Sequence, residues 1–241
     1  MHKIFGAILF GISFLLSSLA GAAVDMSKGR SDVASFAGSY SESIPISVAP
    51  GRAGMQPDLS LNYSSSQASK NGLYGLGWNL DVTRIEREIK NGAPSYTDAD
   101  TFVLVMKGTR QALVNVQANE YRVANESVFL KITKSGNSWI IRDMKNTVYT
   151  LDATWPMSGV KTFSWNLRSV ADVHGNGMTF TYADGGNGHR LVRVDYGVNH
   201  VELAYDFNRS DVIRSYRSGQ LQQIKARLVS VKSYVPDGTV N

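Results

Sequence analysis

The chain has 241 residues, 43% of them apolar and 10% aromatic, with a formal net charge of +5. That leaves room for one large domain or two small ones with a true buried core, and it excludes a disordered chain. There is no cysteine, so stability cannot come from disulfides and no thiol can act as a nucleophile.

The first residues stand apart. Met1-His2-Lys3 is a short basic start, Ile4 to Leu16 is apolar throughout, and Ala20-Gly21-Ala22 is a small-residue cleavage pattern. These are the three parts of a secretory signal peptide. The apolar run is shorter than the roughly 20 residues that span a bilayer, so no stable membrane span is expected. Residues 1–22 are expected to be removed after Ala22 during export through the Sec pathway, to the periplasm or beyond. Residues 23–32 then read as a flexible linker.

From about Val33 onward the hydrophobic period is two. Ile44, Ile46 and Val48 share one face, as do Leu59, Leu61 and Tyr63. Further alternating runs follow, including "TFVLVMK", "SVFLKIT", "NSWIIRD", "NTVYTLD", "GMTFTYA", "RLVRVDYG", "HVELAYDF" and "RLVSVKSYV". Turn signals separate them at Lys107-Gly108, Ser135-Gly136-Asn137, Lys145-Asn146, His174 to Gly177 and Asp184 to Gly188. The best helical candidate is the short "SGQLQQIKARL". The pattern predicts an all-β, antiparallel module over 33–241: a shell or sandwich of many short hairpin-connected strands with little or no helix.

The segment "NGLYGLGWNL" invites a phosphate-loop reading, because Gly72, Gly75 and Gly77 crowd together. A phosphate-cradling loop must lead into a helix, whose N-terminal amides hold the anion. Here Trp78, Leu80 and Val82 follow at strand spacing. The glycines are therefore expected to serve a tight corner, with Trp78 entering the core directly after it. Beyond Trp78 the inward face switches from Leu80/Val82 to Ile85/Ile89, which predicts a β-bulge near Thr83-Arg84.

The same residues carry a resemblance. Ile44-Pro45-Ile46, Pro50-Gly51-Arg52, Gly54, Pro57, Leu59, Leu61, Tyr63, Gly72, Gly75, Gly77-Trp78, Leu80, Ile85, Arg87 and Asp100-Thr101-Phe102 resemble, in order, the N-terminal module of the SpvB family. That module also opens the B components of insecticidal toxin complexes and many large Rhs/YD-repeat proteins. Downstream, Asp172, Gly175-Asn176, Tyr182, Arg190-Leu191 and Tyr196-Gly197 are similar to one YD unit at about 170–197, and Arg209-Ser210-Asp211 resembles a later family segment. The resemblance implies a non-catalytic part of a β-shell that carries or docks a toxic C-terminal domain. It implies further YD/Rhs segments or toxin-complex subunits as partners, and a chain truncated at its C-terminus.

Catalytic constellations fail one by one. ADP-ribosyl transfer needs an Arg, a Ser-x-Ser and a Glu-x-Glu; Arg52, Ser64-Ser65-Ser66 and Glu86-Arg87-Glu88 come in that order but too close together. Glu86 and Glu88 share one side of a strand, where a solvated face is the simpler account. His174, His189 and His200 lie in or beside turns without ligand spacing. Asp98 and Asp100 lack calcium-loop spacing, and Asp100 is expected to bind backbone N–H groups in an Asx-type turn. No catalytic residue, metal or cofactor is expected. Between Arg190 and Lys232 eight basic residues face four acids, but Asp195, Glu202, Asp206 and Asp211 interleave with them, so nucleic acid is not an expected partner. The alternative is a secreted carbohydrate-binding or adhesin-like β module; of Trp139, Trp155 and Trp165, only Trp155 does not fit a strand core.

Overall fold

The computed structural model describes residues 30–34, 38–89, 92–97, 99–125, 129–155, 161–183 and 189–236. The expected signal peptide lies outside them, as do the Asp184 to Gly188 turn and Asp98. Four antiparallel strands come first: β1 (Arg30–Ala34), β2 (Ser39–Pro45), β3 (Ser60–Ser64) and β4 (Trp78–Leu80), paired in sequence order. Strand β1 begins inside the segment expected to be linker. Next come β5 (Arg84–Arg87), β6 (Phe102–Met106), β7 (Thr109–Gln117), β8 (Glu120–Val123), β9 (Lys131–Ser135), β10 (Ser138–Arg142), β11 (Val148–Trp155) and β12 (Ser164–Ala171). Each pairs with its neighbour in sequence up to β11, and β12 pairs with both β11 and β5, so these eight strands close into a barrel. Strands β13 (Gly177–Ala183), β14 (Arg190–Tyr196) and β15 (Asn199–Asp206) extend the sheet outward from β12. A separate ribbon of β16 (Ile213–Ser215) and β17 (Gln222–Ile224) precedes β18 (Arg227–Tyr234), which pairs with β15.

The class is all-β as expected, in the form of a closed barrel with an extension. The helical candidate "SGQLQQIKARL" is overridden: its residues form β17 and the start of β18. Two single turns of 3-10 helix, Arg52–Gly54 and Ser65–Gln67, interrupt the strands. Among the described residues, hairpin turns sit where the sequence places them. Lys107 and Gly108 both have positive φ, as a primed hairpin turn requires, and so do Gly136, Asn146 and Gly175 at the other tips.

Eight strands make a barrel just wide enough for side chains to fill. Alternation sends Ile85, Phe102, Leu104, Leu113, Ile132, Trp139, Ile141, Leu151 and Trp165 inward, all within one buried cluster. Register confirms it: Ile85 faces both Leu104 and Trp165, and Leu151 faces Trp139. Four rings occupy the centre. Trp139 meets Tyr121 at 4.8 Å, Phe102 at 5.0 Å and Trp165 at 5.9 Å, each edge-on, the geometry that aromatic quadrupoles prefer. Trp165 Nε1 donates to the Asn137 side chain at the β9–β10 turn. The barrel is thus a packed core with no open channel. The cluster continues past β12 to Phe180, Leu191, Val194, Val201 and Leu203, where Leu59 and Leu80 join it.

The expected bulge at Thr83-Arg84 is replaced by a change of sheet. After Leu80 the Asp81 N–H still donates to Ser60 O, beside β3, while Thr83 O accepts from Leu167 N of β12. The inward face switches because the chain leaves one sheet and enters another, with no extra residue in a continuous ladder.

Candidate functional site

The glycine corner is the first candidate. Gly77 has φ 75°, and a Cβ there would lie 2.8 Å from Tyr63 Cε2 and 3.0 Å from Ser64 O. Gly75 has φ 109°. These two positions therefore need glycine, whereas a Cβ on Gly72 would meet open space. What Gly72 supplies is a carbonyl. Arg209 Nη1 donates to Gly72 O (2.9 Å) and Ala226 O (3.1 Å), while Nε and Nη2 form a two-point contact with Asp211, both at 3.0 Å. The Arg209 side chain is only 2% exposed. The Arg209 hydrogen bonds, joined by one from Asn71, hold the Asp211 carboxyl at about 2. Leu228 N also donates to Leu73 O at 2.7 Å. The corner is therefore bolted to the start of β18, with no helix behind it to receive an anion. Gly77→Val is expected to destabilise the chain by at least about 1–2 kcal/mol through left-handed strain and the clash with Tyr63, measured by urea unfolding; Gly72→Ala should cost clearly less.

Trp78 does not enter the core. It is half-buried on the small sheet and rests on Tyr63 at 5.3 Å, because β4 pairs with β3 rather than joining the barrel. Of the neighbouring motif, Pro50 and Arg52 are exposed. Gly51 permits a close approach, since a Cβ there would collide with Met55 O.

A second cluster surrounds Asp100. Its Oδ1 accepts from Ser95 N (2.9 Å) and Ser95 Oγ (2.8 Å), and its Oδ2 from Tyr96 N (2.7 Å) and Arg87 Nη1 (2.6 Å). The expected Asx-type turn bonds N–H groups ahead of the Asp; here the amides lie behind it in the chain. Burial alone would raise the carboxyl, but the bonds from Ser95 and Tyr96 and the Arg87 charge outweigh it and hold it below the usual range. Arg87 also donates to Thr162 O and lies over the rings of Tyr96, Phe102 and Trp165 at 5.2–5.6 Å. Tyr96 Oη in turn donates to Ser218 O and accepts from Gln220. One ion pair thus ties the 92–100 loop, the barrel rim and the β16–β17 ribbon together.

The Glu-x-Glu pair is not on a solvated face. Glu86 and Glu88 line a cleft of about 700 Å3 outside β5–β7. Glu86 accepts from Arg84 Nε at 3.0 Å and from Arg110 Nη1, and Arg110 Nη2 reaches Glu88 at 3.5 Å. Burial would raise the Glu86 carboxyl, yet the two guanidinium groups hold it low. A carboxylate engaged by two arginines is an ion-pair ladder rather than a free general base. Arg87, between the two glutamates, points to Asp100 instead.

The remaining sequence-predicted residues serve turns and stacks. Asp172 Oδ1 accepts from His174 N and Asn176 N, and Oδ2 from Asn176 Nδ2; these bonds, that from the Asn176 side chain foremost, lower its carboxyl. Asp143 makes the same turn with Lys145 N and Thr147 N. Tyr182 stacks on His189 at 4.9 Å, and His200 on Tyr234 at 4.7 Å. Among the described residues no group of three His, Cys, Asp or Glu could hold a metal ion. Of the bases beyond Arg190, Arg193 pairs with Asp195 and Glu202, Arg209 with Asp211, and Arg227 with Asp206. Trp155 is half-buried against Phe163. Sequence reasoning missed Arg84, Tyr96, Arg110 and Gln220; no spacing rule links residues that meet only across loops.

A larger cleft, about 750 Å3, opens at the barrel end that carries the β6–β7 and β10–β11 turns. Its floor holds Leu59, Leu167, Val170 and Phe180, and Met55, Met106, Met144 and Met178 stand in its walls. Asp58, Asp81, Lys107, Asp143 and Lys145 also line it.

Comparisons with known proteins agree on the fold. Residues 34–153 match the family model "SpvB: Salmonella virulence plasmid 65kDa B protein". No curated protein sequence matches the chain. The TcdB2-TccC3 crystal structure is similar at TM-score 0.75 and 19% identity, over 87% of this chain and 14% of that one. The N-terminal domain of effector protein SpvB from Salmonella typhimurium strain LT2 is similar at TM-score 0.67 and 19% identity, over 82% of this chain and 91% of the domain. The Photorhabdus luminescens Tc holotoxin pore matches at TM-score 0.68 and 19% identity, over 82% of this chain and 13% of that one.

Proposed function

Through residues 34–153 this chain belongs to the SpvB family, and from that premise we propose that it is a non-catalytic structural module of a secreted Rhs/YD-type toxin. It would form part of a β-shell that carries or docks a toxic domain, with further YD/Rhs segments or toxin-complex subunits as its partners. One observation carries the reading. The charged clusters that could have been catalytic are tied up in architecture: Arg209–Asp211 bolts the glycine corner to β18, and Arg87–Asp100 ties the 92–100 loop to the barrel rim. Likeness of fold to a segment of TcdB2-TccC3 supports the same role, as does the ring-filled barrel, which offers no interior for substrate.

The test is co-expression of the full chain with a YD/Rhs segment from a toxin-complex protein. Co-purification of the two, with each protecting the other from protease, is expected. Independent behaviour of the two, or a chemical activity of this chain that Glu86→Gln or Glu88→Gln abolishes, would defeat the proposal. Export is part of the same reading. Mass spectrometry of the secreted product should find a mature N-terminus at Ala23, and a product that retains Met1 would overturn it.

A further inference from the structure

The charges of the cleft outside β5–β7 do not balance. Lys70, Arg84, Arg110 and Arg217 line it, and the only acids that line it with them are Glu86 and Glu88. Asp211 comes near Lys70 through its bond from Asn71, but Arg209 matches that charge. The walls bring no further acid. None lies between Asp58 and Asp81, in the segment that supplies Lys70, and none between Asp211 and Asp237, in the segment that supplies Arg217. The β16–β17 ribbon adds Arg214 on the same acid-free stretch. Two positive charges are thus left over with both glutamates fully ionised.

The surplus is also one of hydrogen-bond donors. Arg110 spans Glu86 and Glu88 and is already occupied. Arg84 gives Glu86 only its Nε. Its Nη1 and Nη2 have no partner among the described residues, on a side chain that is 35% exposed. Lys70 and Arg217 are exposed as well, and among the described residues neither meets a carboxylate. A guanidinium fork presents two parallel N–H groups at the spacing of two carboxylate oxygens.

We propose that this cleft binds an acidic peptide segment of a partner protein, with one carboxylate on the Arg84 fork and others against Lys70 and Arg217. The charge surplus calls for an anion, and the rest of the lining calls for a peptide. Gln67 and Gln222 offer side-chain amides to a peptide backbone, and Ile89 and Phe163 an apolar wall to side-chain stems. A volume of about 700 Å3 takes a short segment. The evenly spaced phosphates of a nucleic acid would also be driven against Glu86 and Glu88, whereas a peptide places its carboxylates singly, at the cations. The inference stands apart from the shell reading above.

The probe is a short fluorescein-labelled peptide that alternates Glu and Asp with Leu, titrated with the full chain and followed by fluorescence anisotropy. Binding is expected at low salt and should weaken as salt is added. The same peptide with Gln and Asn in place of Glu and Asp should not bind. The double variant Lys70→Gln, Arg217→Gln should lose roughly tenfold or more in affinity, with an unchanged melting curve because both side chains are exposed. Arg84→Lys keeps the charge but removes the fork, and should lose about threefold or more. Equal affinity of the native chain and the double variant would overturn the proposal. So would displacement of the peptide by an equal concentration of inorganic phosphate, because the site would then serve a small anion. Tighter binding of a single-stranded oligonucleotide than of the peptide would overturn it too.

Discussion

Trp139→Ala is expected to lower the stability of the chain by about 3–5 kcal/mol, the range for truncating a large core aromatic. Trp139 has no exposed surface and touches three of the other rings that fill the barrel. The site cannot relax easily, because eight strands hydrogen-bonded in a closed circle hold the walls apart. The cavity term therefore adds to the lost transfer free energy. Urea unfolding followed by far-UV circular dichroism measures the loss. Trp78→Ala is the matched comparison. From the sequence, Trp78 is expected in the core along with Trp139 and Trp165, yet it lies half-buried on Tyr63 outside the barrel, and about 1–2 kcal/mol is expected there. A reversal of that order would mean that the barrel centre is not the main core.

Arg87→Ala should cost about 3–5 kcal/mol, as when one partner of a buried ion pair is removed. Both side chains are nearly buried, at 12% and 10% exposure. The variant leaves Asp100 charged with its amide donors but no cation, frees Thr162 O, and withdraws a guanidinium from three aromatic faces. The sign with pH follows from the depressed carboxyl of Asp100. A group whose folded pKa lies below its unfolded value, about 3.9 for Asp, stabilises the fold above that value and loses the contribution as pH falls through the folded pKa. The native chain should therefore lose stability on acidification from about pH 5 downward, and Asp100→Asn should flatten that part of the curve while lowering stability at neutral pH. An unchanged acid profile in Asp100→Asn would show that Arg87 acts through packing alone.

Strand content and turns were legible because they rest on local rules. Lys107-Gly108 reads as a hairpin from two residues, and the alternation of Phe102 and Leu104 assigns a face without knowledge of the neighbour. Closure of the barrel was not legible. The pairing of Ile85 with Trp165 joins strands far apart in the chain, and a period of two is equally consistent with a sandwich. The same limit explains the glycine corner: its tightness could be read, but Tyr63 and Ser64 opposite Gly77 could not. Arg87 and Asp100 both stood in the recognisable pattern, yet their partnership depends on how the 92–100 loop folds back. Glu86 and Glu88 shared a face as expected, while the ribbon and loop that turn that face into a cleft left no signal in β5 itself.

The central claim is that this module is built to be packed against more β-structure rather than to act on a substrate. Among the described residues β18 pairs with β15 alone, leaving its other edge, beyond the Leu73 contact with Leu228, open to a further strand. Amide hydrogen exchange on residues 229–234, measured for the full chain alone and co-purified with a YD/Rhs segment, tests the claim most directly. The account predicts that the outward-facing amides of β18 exchange fast in the free chain and become protected in the assembly. Unchanged exchange across β18 in a mixture where both chains are folded would contradict it.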